Sequence, residues 1–458
     1  MEELNGPIKP APAFKPLFPW PVRYLGPAPG LKEINLICWG LFLGLEILPF
    51  FVPLWTHSKT GTAFSSLLPV DFTYFYGIGR IVREYSFARL YDYNLQLQVF
   101  NQIDPLKDNT YGPSPYPPFV ALFFSLFARI PFVQAYLLWV VTSLALYLTG
   151  IAQVVKAVYP RERLKASLIF CFSLEFYPFF ICTLKLGQLS SIAVFSVGLA
   201  VAEEKRSRPF VSGLALSILT YKPTLLLLIV PMLLITRRFK ALLGFVIGSS
   251  VLVLIATAFA GVGIWPVYAH FLSYFRQASV FNGQSLLQLW EYIDFSSLTY
   301  SIPGGRSSIG LAFLAALTVS ILAVLAVLLW KSTGRGGLVG RPVQDLVWAT
   351  TLTWTLLLNV YVPVWDSILV TIAVILTLGA LRDLGWTNIA GWILFLSLLI
   401  FAVTWNLAAK TNHGGSRRMT VLLFIVGVVQ MIVLHRANSA VPKVYARNLP
   451  TLYPSRSQ

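Results

Sequence analysis

The chain has 458 residues, of which 56% are hydrophobic and 12% charged, and its formal net charge is +17. Soluble domains carry about 25% charged residues, so this composition excludes an ordinary soluble enzyme and a disordered protein. It indicates an integral membrane protein whose length measures membrane spans. Basic residues collect in cytoplasmic loops of such proteins, so the positive charge requires no nucleic-acid partner.

The two ends of the chain and two internal segments are predicted to lie outside the membrane. Residues 1–33 are rich in proline and lack the apolar region of a signal peptide, which predicts an extended cytoplasmic tail. The first apolar run, 34–55, is expected to act as an uncleaved signal anchor. Segments 56–116 and 263–305 are predicted outer loops, and 437–458 is predicted to be a basic cytoplasmic tail.

The region 34–436 is predicted to be an all-α transmembrane domain, because helices satisfy their backbone polar groups within the lipid. After the first run, twelve further apolar runs lie at 117–131, 132–156, 165–184, 187–202, 209–221, 223–236, 239–262, 306–330, 344–361, 364–381, 388–407 and 418–435.

Orientation follows from the basic clusters in the short loops. These clusters are Arg161, Arg163 and Lys165; Lys205, Arg206 and Arg208; Arg237, Arg238 and Lys240; and Lys331, Arg335 and Arg341. Placing all of them inside puts both termini in the cytoplasm and requires an even number of spans, whereas the apolar runs number thirteen.

Two topologies remove this mismatch. In one, 117–156 crosses once in net, and 117–131 enters and leaves on the same side. In the other, 209–236 is one span, and Arg161 and Arg206 lie outside. The first is preferred and predicts about 12 transmembrane helices.

In the preferred topology, the polar residues at the membrane edges fall on the non-cytoplasmic side. They are Asp71, Tyr116, Gln188, Lys222, Gln284, Ser285 and Asp366. Polar residues gathered at one end of a bundle indicate a site that opens to that side. Each of them alone is equally well explained as part of a loop or as a helix cap.

Asp71 begins the amphipathic segment 72–91, which can lie flat in the membrane interface. A purely structural role would explain this residue, because an aspartate at the start of a helix is a good N-cap. Held at the lipid–water boundary, its carboxylate could instead act as a general base toward a bound hydroxyl. Arg80 would lie near lipid phosphates, where it snorkels or adds positive charge to a site.

Lys222 separates two apolar runs that are too short to span the membrane easily. A lysine there is costly unless it is paired, so we expect either a phosphate partner or a snorkelling side chain at a helix break. Gln188 begins a helix whose N-terminal amides favour an anion. The four histidines and three cysteines are scattered, which predicts no metal site, no disulfide and no cofactor.

The ordered series of motifs resembles glycosyltransferase family 87 of the GT-C superfamily. The series comprises Asp71-Phe72 with Tyr76, Leu90-Tyr91-Asp92, Tyr116-Pro117-Pro118, Gly187-Gln188, Arg208-Pro209 with Gly213, Lys222-Pro223, Gln284-Ser285 and Pro363-x-x-Asp366. It covers about 70–370, most of the chain.

The resemblance implies a GT-C fold, with a lipid-facing groove and a first outer loop built of interfacial helices. Members of the family transfer a sugar, often mannose, from a polyprenyl-phosphate donor with inversion. The acidic residue of the first outer loop is the family's catalytic base and corresponds to Asp71. Lys222 and Gln188 match motif positions near the donor phosphate, and Arg80 is an arginine that could add positive charge there. Tyr76, Tyr116, Gln284, Ser285 and Asp366 are the expected substrate-binding residues.

The resemblance also implies a lipid-linked or glycan acceptor in addition to the membrane lipids. Two other classes of protein remain open from the residues alone. A transporter or lipid flippase would explain the broken helices, but it predicts internal repeats and polar residues at mid-membrane. A scaffold protein would have no reason to gather these polar residues on one side.

Overall fold

The computed structural model describes residues 31–48, 70–104, 111–160, 162–278, 280–281, 284–285, 292–300, 302–333, 337–360, 362–407 and 415–448. Nearly all of them are helical, which confirms the all-α prediction. Most of the predicted N-terminal tail, the first part of the first outer loop and the end of the C-terminal tail lie outside this description.

Seventeen α-helices follow one another in these residues. They are α1 (Leu31–Leu41), α2 (Val70–Glu84), α3 (Tyr93–Ile103), α4 (Pro118–Phe127), α5 (Phe132–Val158), α6 (Arg163–Glu175), α7 (Ser190–Lys205), α8 (Pro209–Ser217), α9 (Ile229–Ile235), α10 (Phe239–Ala260), α11 (Ile264–Ala278), α12 (Phe295–Tyr300), α13 (Ser308–Lys331), α14 (Gly337–Leu357), α15 (Leu369–Asp383), α16 (Thr387–Leu407) and α17 (Gly415–Asn448).

Tighter and wider helical turns occur where the chain bends. The π-helical turns are Phe42–Ile47 and Pro178–Lys185, and the 3₁₀ turns are Phe87–Arg89, Ile218–Tyr221, Pro223–Leu226 and Val364–Ile368. Strands Val280–Phe281 and Gln284–Ser285 form a short antiparallel pair in which Phe281 faces Gln284.

Six helices among the described residues are long and apolar enough to cross a membrane. They are Phe132–Val158, Phe239–Ala260, Ser308–Lys331, Val364–Asp383, Thr387–Thr404 and Arg417–Ser439. A seventh is counted if Lys165–Glu175 and Pro178–Lys185, which meet at an angle of 58°, form one broken span. Four shorter apolar helices lie at Asn35–Gly44, Pro118–Phe127, Pro209–Tyr221 and Pro223–Ile235. The chain is therefore a multi-pass membrane protein.

Helices α10 and α13 present apolar side chains outward. Leu254 and Phe259 on α10 are 65% and 66% exposed, and Ile309 on α13 is 83% exposed. Apolar side chains exposed along a whole helix would aggregate in water but are favourable against lipid tails. These two helices therefore form part of the lipid-facing surface.

Helices α5 and α7 approach each other closely through two glycines. A Cβ atom on Gly150 would lie 2.6 Å from the Val194 carbonyl oxygen, and one on Gly198 would lie 2.4 Å from the Gly150 carbonyl oxygen. Small residues let membrane helices pack backbone against backbone, where van der Waals contact stabilises the pair. The sequence does not show this contact, because the two glycines are far apart along the chain.

We expect Gly198→Val to destabilise the protein by about 1–3 kcal/mol, since the added methyl groups push α5 and α7 apart. The thermal unfolding midpoint in detergent should fall accordingly. Gly391→Val on α16 is the matched control, because no atom lies within 4 Å of a Cβ there. An equal midpoint for the two variants would contradict the close contact.

Segment 117–131 begins and ends beside the same part of α2. At its start, Tyr116 packs on Phe75 with ring centroids 5.0 Å apart. At its end, the carbonyl oxygen of Ile130 accepts a 2.9 Å hydrogen bond from the hydroxyl of Tyr76. Because Phe75 and Tyr76 are adjacent, the segment starts and ends at the same level of the bundle, and α5 is the helix within 117–156 that is long enough to cross a membrane. The number of crossings remains a prediction.

Segment 209–236 forms a hairpin with Lys222 at its tip. Just before the segment, Glu204 pairs at 2.5 Å with Arg238, which lies just after it. A single straight span would place these two residues at opposite ends of the bundle. The geometry therefore disfavours the topology in which 209–236 is one span, and Pro223 explains the break, since a proline removes a helical hydrogen bond.

The bundle therefore has two chemically distinct ends. We call the end that contains Tyr116, Lys222 and Asp366 the site end. We call the end that contains Arg206 and Arg238 the basic end. Helix α7 connects them, because Ser190 at its start contacts Asp366 and Lys205 at its end contacts Asp345. Its 16 residues measure about 24 Å along the axis.

Helix α2 is amphipathic, as predicted, and its apolar face is buried within the protein. Phe72, Phe75, Ile78 and Ile81 are at most 1% exposed. A Cβ on Gly79 would lie 2.4 Å from the backbone of Phe124, so α4 is packed directly on this helix. The interfacial placement of the helix in the membrane remains a prediction.

Candidate active site

A buried carboxylate organises the site end. Asp366 lies in the 3₁₀ turn that precedes α15 and is 1% exposed. One of its oxygens forms an ion pair with the ammonium of Lys222, and the other accepts a 2.9 Å hydrogen bond from the hydroxyl of Ser190. A buried charge must be paired and hydrogen-bonded to be tolerated, and both conditions are met here.

Lys222 is held at the tip of its hairpin by contacts on both sides. The hydroxyl of Tyr221 donates to the Leu189 carbonyl oxygen at 3.3 Å. Beyond Pro223, the carbonyl oxygen of Thr224 accepts a 2.7 Å hydrogen bond from the Asn359 amide. The lysine side chain is 20% exposed, so it is held by Asp366 without being fully enclosed.

Asp71 lies in the first turn of α2, one residue inside the helix start, rather than at the N-cap. The next residue anchors this turn, because the Phe72 amide donates to the Leu186 carbonyl oxygen at 3.0 Å. Gly187 has a φ of +82°, and a Cβ on it would lie 2.7 Å from the Phe72 Cβ. Only glycine fits both constraints.

The Gly187-Gln188 motif is thereby fixed against the start of α2. The Trp139 indole donates to the Gly187 carbonyl oxygen at 2.9 Å. Gln188 is 6% exposed and lies two residues before Ser190, which contacts Asp366. The structure therefore connects Asp71 to Asp366 through one short stretch of backbone.

The phenol of Tyr116 is within electrostatic range of both carboxylates. Burial raises the pKa of its phenol well above the ordinary value, and the nearby charges of Asp366 and Asp71 raise this pKa further. Its carbonyl oxygen accepts a 2.8 Å hydrogen bond from the hydroxyl of Tyr91, another residue of the motif series. A neutral phenol thus stands near Asp71 and Asp366, where it can donate a hydrogen bond to a sugar or a carboxylate.

Two other predicted site residues have partners away from this cluster. Arg80 forms a 2.8 Å ion pair with Glu84 and lies nine residues beyond Asp71, about 13 Å along α2. The hydroxyl of Tyr76 donates to Ile130. Gln284 and Ser285 lie in the short strand pair, and their side chains are outside the described residues.

The sequence does not predict two buried residues at the site end, Ser190 and Asp294. Ser190 binds Asp366, as above. Asp294 is fully buried, accepts a 2.8 Å hydrogen bond from the Val362 amide, and caps α12 by accepting another from the Ser297 amide. It thereby ties the start of α12 to the segment that leads to Asp366. The Asp-Phe-Ser-Ser pattern could have revealed the cap, but not the distant contact.

The described residues contain no group of three or more His, Cys, Asp or Glu side chains that could hold a metal ion. The chemistry open to them is acid–base catalysis by a carboxylate and electrostatic stabilisation of an anion by a lysine. Both groups lie at one end of a membrane-embedded bundle.

The family model for glycosyltransferase family 87 matches residues 115–358, more than half of the chain. This chain belongs to glycosyltransferase family 87. The resemblance of the motifs is thereby confirmed, and the protein is a membrane glycosyltransferase with donor and acceptor substrates. The match contains Tyr116, Gln188 and Lys222, while Asp71 and Asp366 lie outside it. No curated protein and no solved structure matches the chain.

Proposed function

We propose that this family 87 enzyme transfers a hexose, with mannose as the expected sugar, from a polyprenyl-phosphate carrier. The acceptor is a hydroxyl of a lipid-linked molecule or a glycan. The observation that carries the proposal is the buried ion pair of Lys222 with Asp366, which Ser190 joins to the stretch 186–190 that holds Phe72, the neighbour of Asp71. A candidate base and a lysine-bearing cluster therefore share one end of the bundle.

In the proposed reaction, the acceptor oxygen attacks the anomeric carbon of the donor sugar. Asp71 takes the hydroxyl proton as the new carbon–oxygen bond forms. The bond between the anomeric carbon and the phosphate oxygen breaks on the opposite face of the ring, and its electron pair leaves with the polyprenyl phosphate. The configuration therefore inverts, and no carboxylate nucleophile is needed.

Lys222 is proposed to stabilise the leaving phosphate, which gains negative charge as the bond breaks. An ammonium has three N–H donors, and Asp366 accepts from one of them. We propose that the remaining donors bind a phosphate oxygen, since the side chain is partly exposed. Asp366 is then a positioning residue, while Gln188, Tyr116, Gln284 and Ser285 are proposed to contact the substrates.

The membrane arrangement is also a proposal. It comprises a GT-C-like bundle of about 12 crossings, cytoplasmic tails, an interfacial first outer loop that contains α2, and a site end that faces away from the cytoplasm. The hairpin over 209–236 supports the count, since its two short arms run in opposite directions. Basic residues at the opposite end support the orientation.

Sugar transfer by the purified protein tests the proposed donor. With a polyprenyl-phosphate-linked mannose, the protein should form a glycosylated acceptor in an extract of membrane lipids and glycans, and a nucleotide-linked mannose should give none. Transport of the donor between leaflets without any transfer would contradict the proposal and favour the flippase class. Product formation is measured with radiolabelled sugar.

The orientation is tested by cysteine labelling in intact cells after replacement of Cys38, Cys171 and Cys182 with alanine. We expect Arg206→Cys at the basic end to resist a membrane-impermeant maleimide until the cells are permeabilised. Gly263→Cys, between α10 and α11 at the site end, should react without permeabilisation. The reverse pattern would invert the proposed topology.

A further inference from the structure

The basic end contains a cavity that the proposed reaction does not use. Its volume is about 780 Å³. Its charged lining residues are Lys156, Lys205, Arg206, Lys240, Arg341 and Glu204. The ends of α5 and α7 and the beginnings of α10 and α14 therefore meet around an opening with five cations and one acid.

The acids near this cavity are already paired. Asp345 binds Lys205 at 2.5 Å, and both side chains are nearly buried. Glu204 is held by Arg238 and by the Trp348 indole, at 2.5 and 2.7 Å. Glu203 pairs with Arg206 at 2.5 Å, so each of these carboxylates already has a direct ion-pair partner.

Three of the lining cations have no ion-pair partner in the described part of the chain: Lys156, Lys240 and Arg341. The Arg341 guanidinium donates to the carbonyl oxygen of Ala157, another lining residue, and this contact leaves its charge without a counter-ion. Like charges gathered in a partly enclosed space repel each other, so a bound anion would lower the energy of this arrangement.

Apolar surface adjoins the cavity on α10. Lys240 lies in the first turn of this helix between Phe239 and Leu243, which are 61% and 54% exposed. Because α10 is lipid-facing, an anion in the cavity could carry acyl chains that lie along these side chains. Basic pockets between transmembrane helices bind lipid headgroups in this way.

We propose that this cavity binds the phosphate headgroup of an anionic phospholipid from the leaflet at the basic end. The site is distinct from the proposed donor site, since the length of α7, about 24 Å, separates them. It is therefore independent of the sugar-transfer reaction, and its test does not require activity.

The test compares lipid binding by the double variant Lys156→Gln/Lys240→Gln with that of the parent protein. The probe is fluorescent phosphatidylglycerol titrated into protein in a zwitterionic detergent. Each lysine near an anionic headgroup contributes enough that losing both should weaken binding about thirtyfold. Neither substitution breaks an ion pair, so the fold should persist, which thermal unfolding and gel filtration verify.

The matched control is Arg163→Gln/Lys331→Gln, which removes two exposed cations outside the cavity. It should bind phosphatidylglycerol as the parent does, and so should the charge-conserving Lys240→Arg. Equal binding by the cavity variant and the parent would overturn the proposal. A further arm titrates inorganic phosphate and phosphatidylcholine, which should compete weakly. Inorganic phosphate that binds the cavity as tightly as the lipid would overturn the assignment to a headgroup.

Discussion

Asp71→Asn should reduce sugar transfer by about 10²–10⁴-fold and leave the affinity for the donor nearly unchanged. A general base contributes about this much to a reaction, and asparagine cannot accept the proton. Asparagine has the same shape as aspartate, so the first turn of α2 and its backbone contact with Leu186 should be preserved. The measurements are the single-turnover rate with a labelled donor and the equilibrium binding of that donor.

Asp383→Asn is the control for Asp71→Asn. It also removes one carboxylate, but at the end of α15, where Asp383 pairs with Arg382 at 2.7 Å. The rate of this variant should stay close to that of the parent. If Asp71→Asn retains the parental rate, the base lies elsewhere and the proposed role of Asp71 is wrong.

Lys222→Gln should lower both stability and activity. Removing the lysine leaves the carboxylate of Asp366, which is 1% exposed, without a counter-ion, and a broken buried pair costs about 3–5 kcal/mol. If Lys222 also stabilises the leaving phosphate, the transfer rate should fall by about 10² or more. Thermal unfolding and single-turnover transfer measure the two effects separately.

The double variant Lys222→Gln/Asp366→Asn separates the two roles of the ion pair. Because no charge is left buried, its thermal unfolding midpoint should return most of the way from that of Lys222→Gln to that of the parent. Its activity should remain low, since the phosphate still lacks a cation. Recovery of both properties would mean that Lys222 only balances Asp366 and has no role in phosphate stabilisation.

Much of the helical architecture could be predicted from the sequence. The apolar run 132–156 becomes α5 (Phe132–Val158), and the run 306–330 becomes α13 (Ser308–Lys331). Membrane helices are predictable because the lipid requires a long apolar stretch and satisfied backbone groups. The broken segments were harder, since Pro178 and Pro223 indicate that a helix breaks but not where the next turn points.

The candidate site was predictable in its composition and only partly in its contacts. Lys222 and Asp366 were both predicted at one membrane edge, but no pattern pairs residues that are 144 positions apart. The contact of Ser190 with Asp366 spans 176 positions and was missed for the same reason. The pairing of Arg80 with Glu84, by contrast, follows the i,i+4 spacing of a helix and was available from the sequence.

The pairing of Lys222 with Asp366 also bears on how the chain is synthesised and inserted. The hairpin that carries Lys222 leaves the ribosome well before Asp366 exists. At 5–20 residues per second, the 144 positions from Lys222 to Asp366 take roughly 7–30 s to translate. During that time the lysine at the tip of the hairpin lacks the partner it has in the folded protein, so we expect this hairpin to insert less readily than the uninterrupted apolar helices.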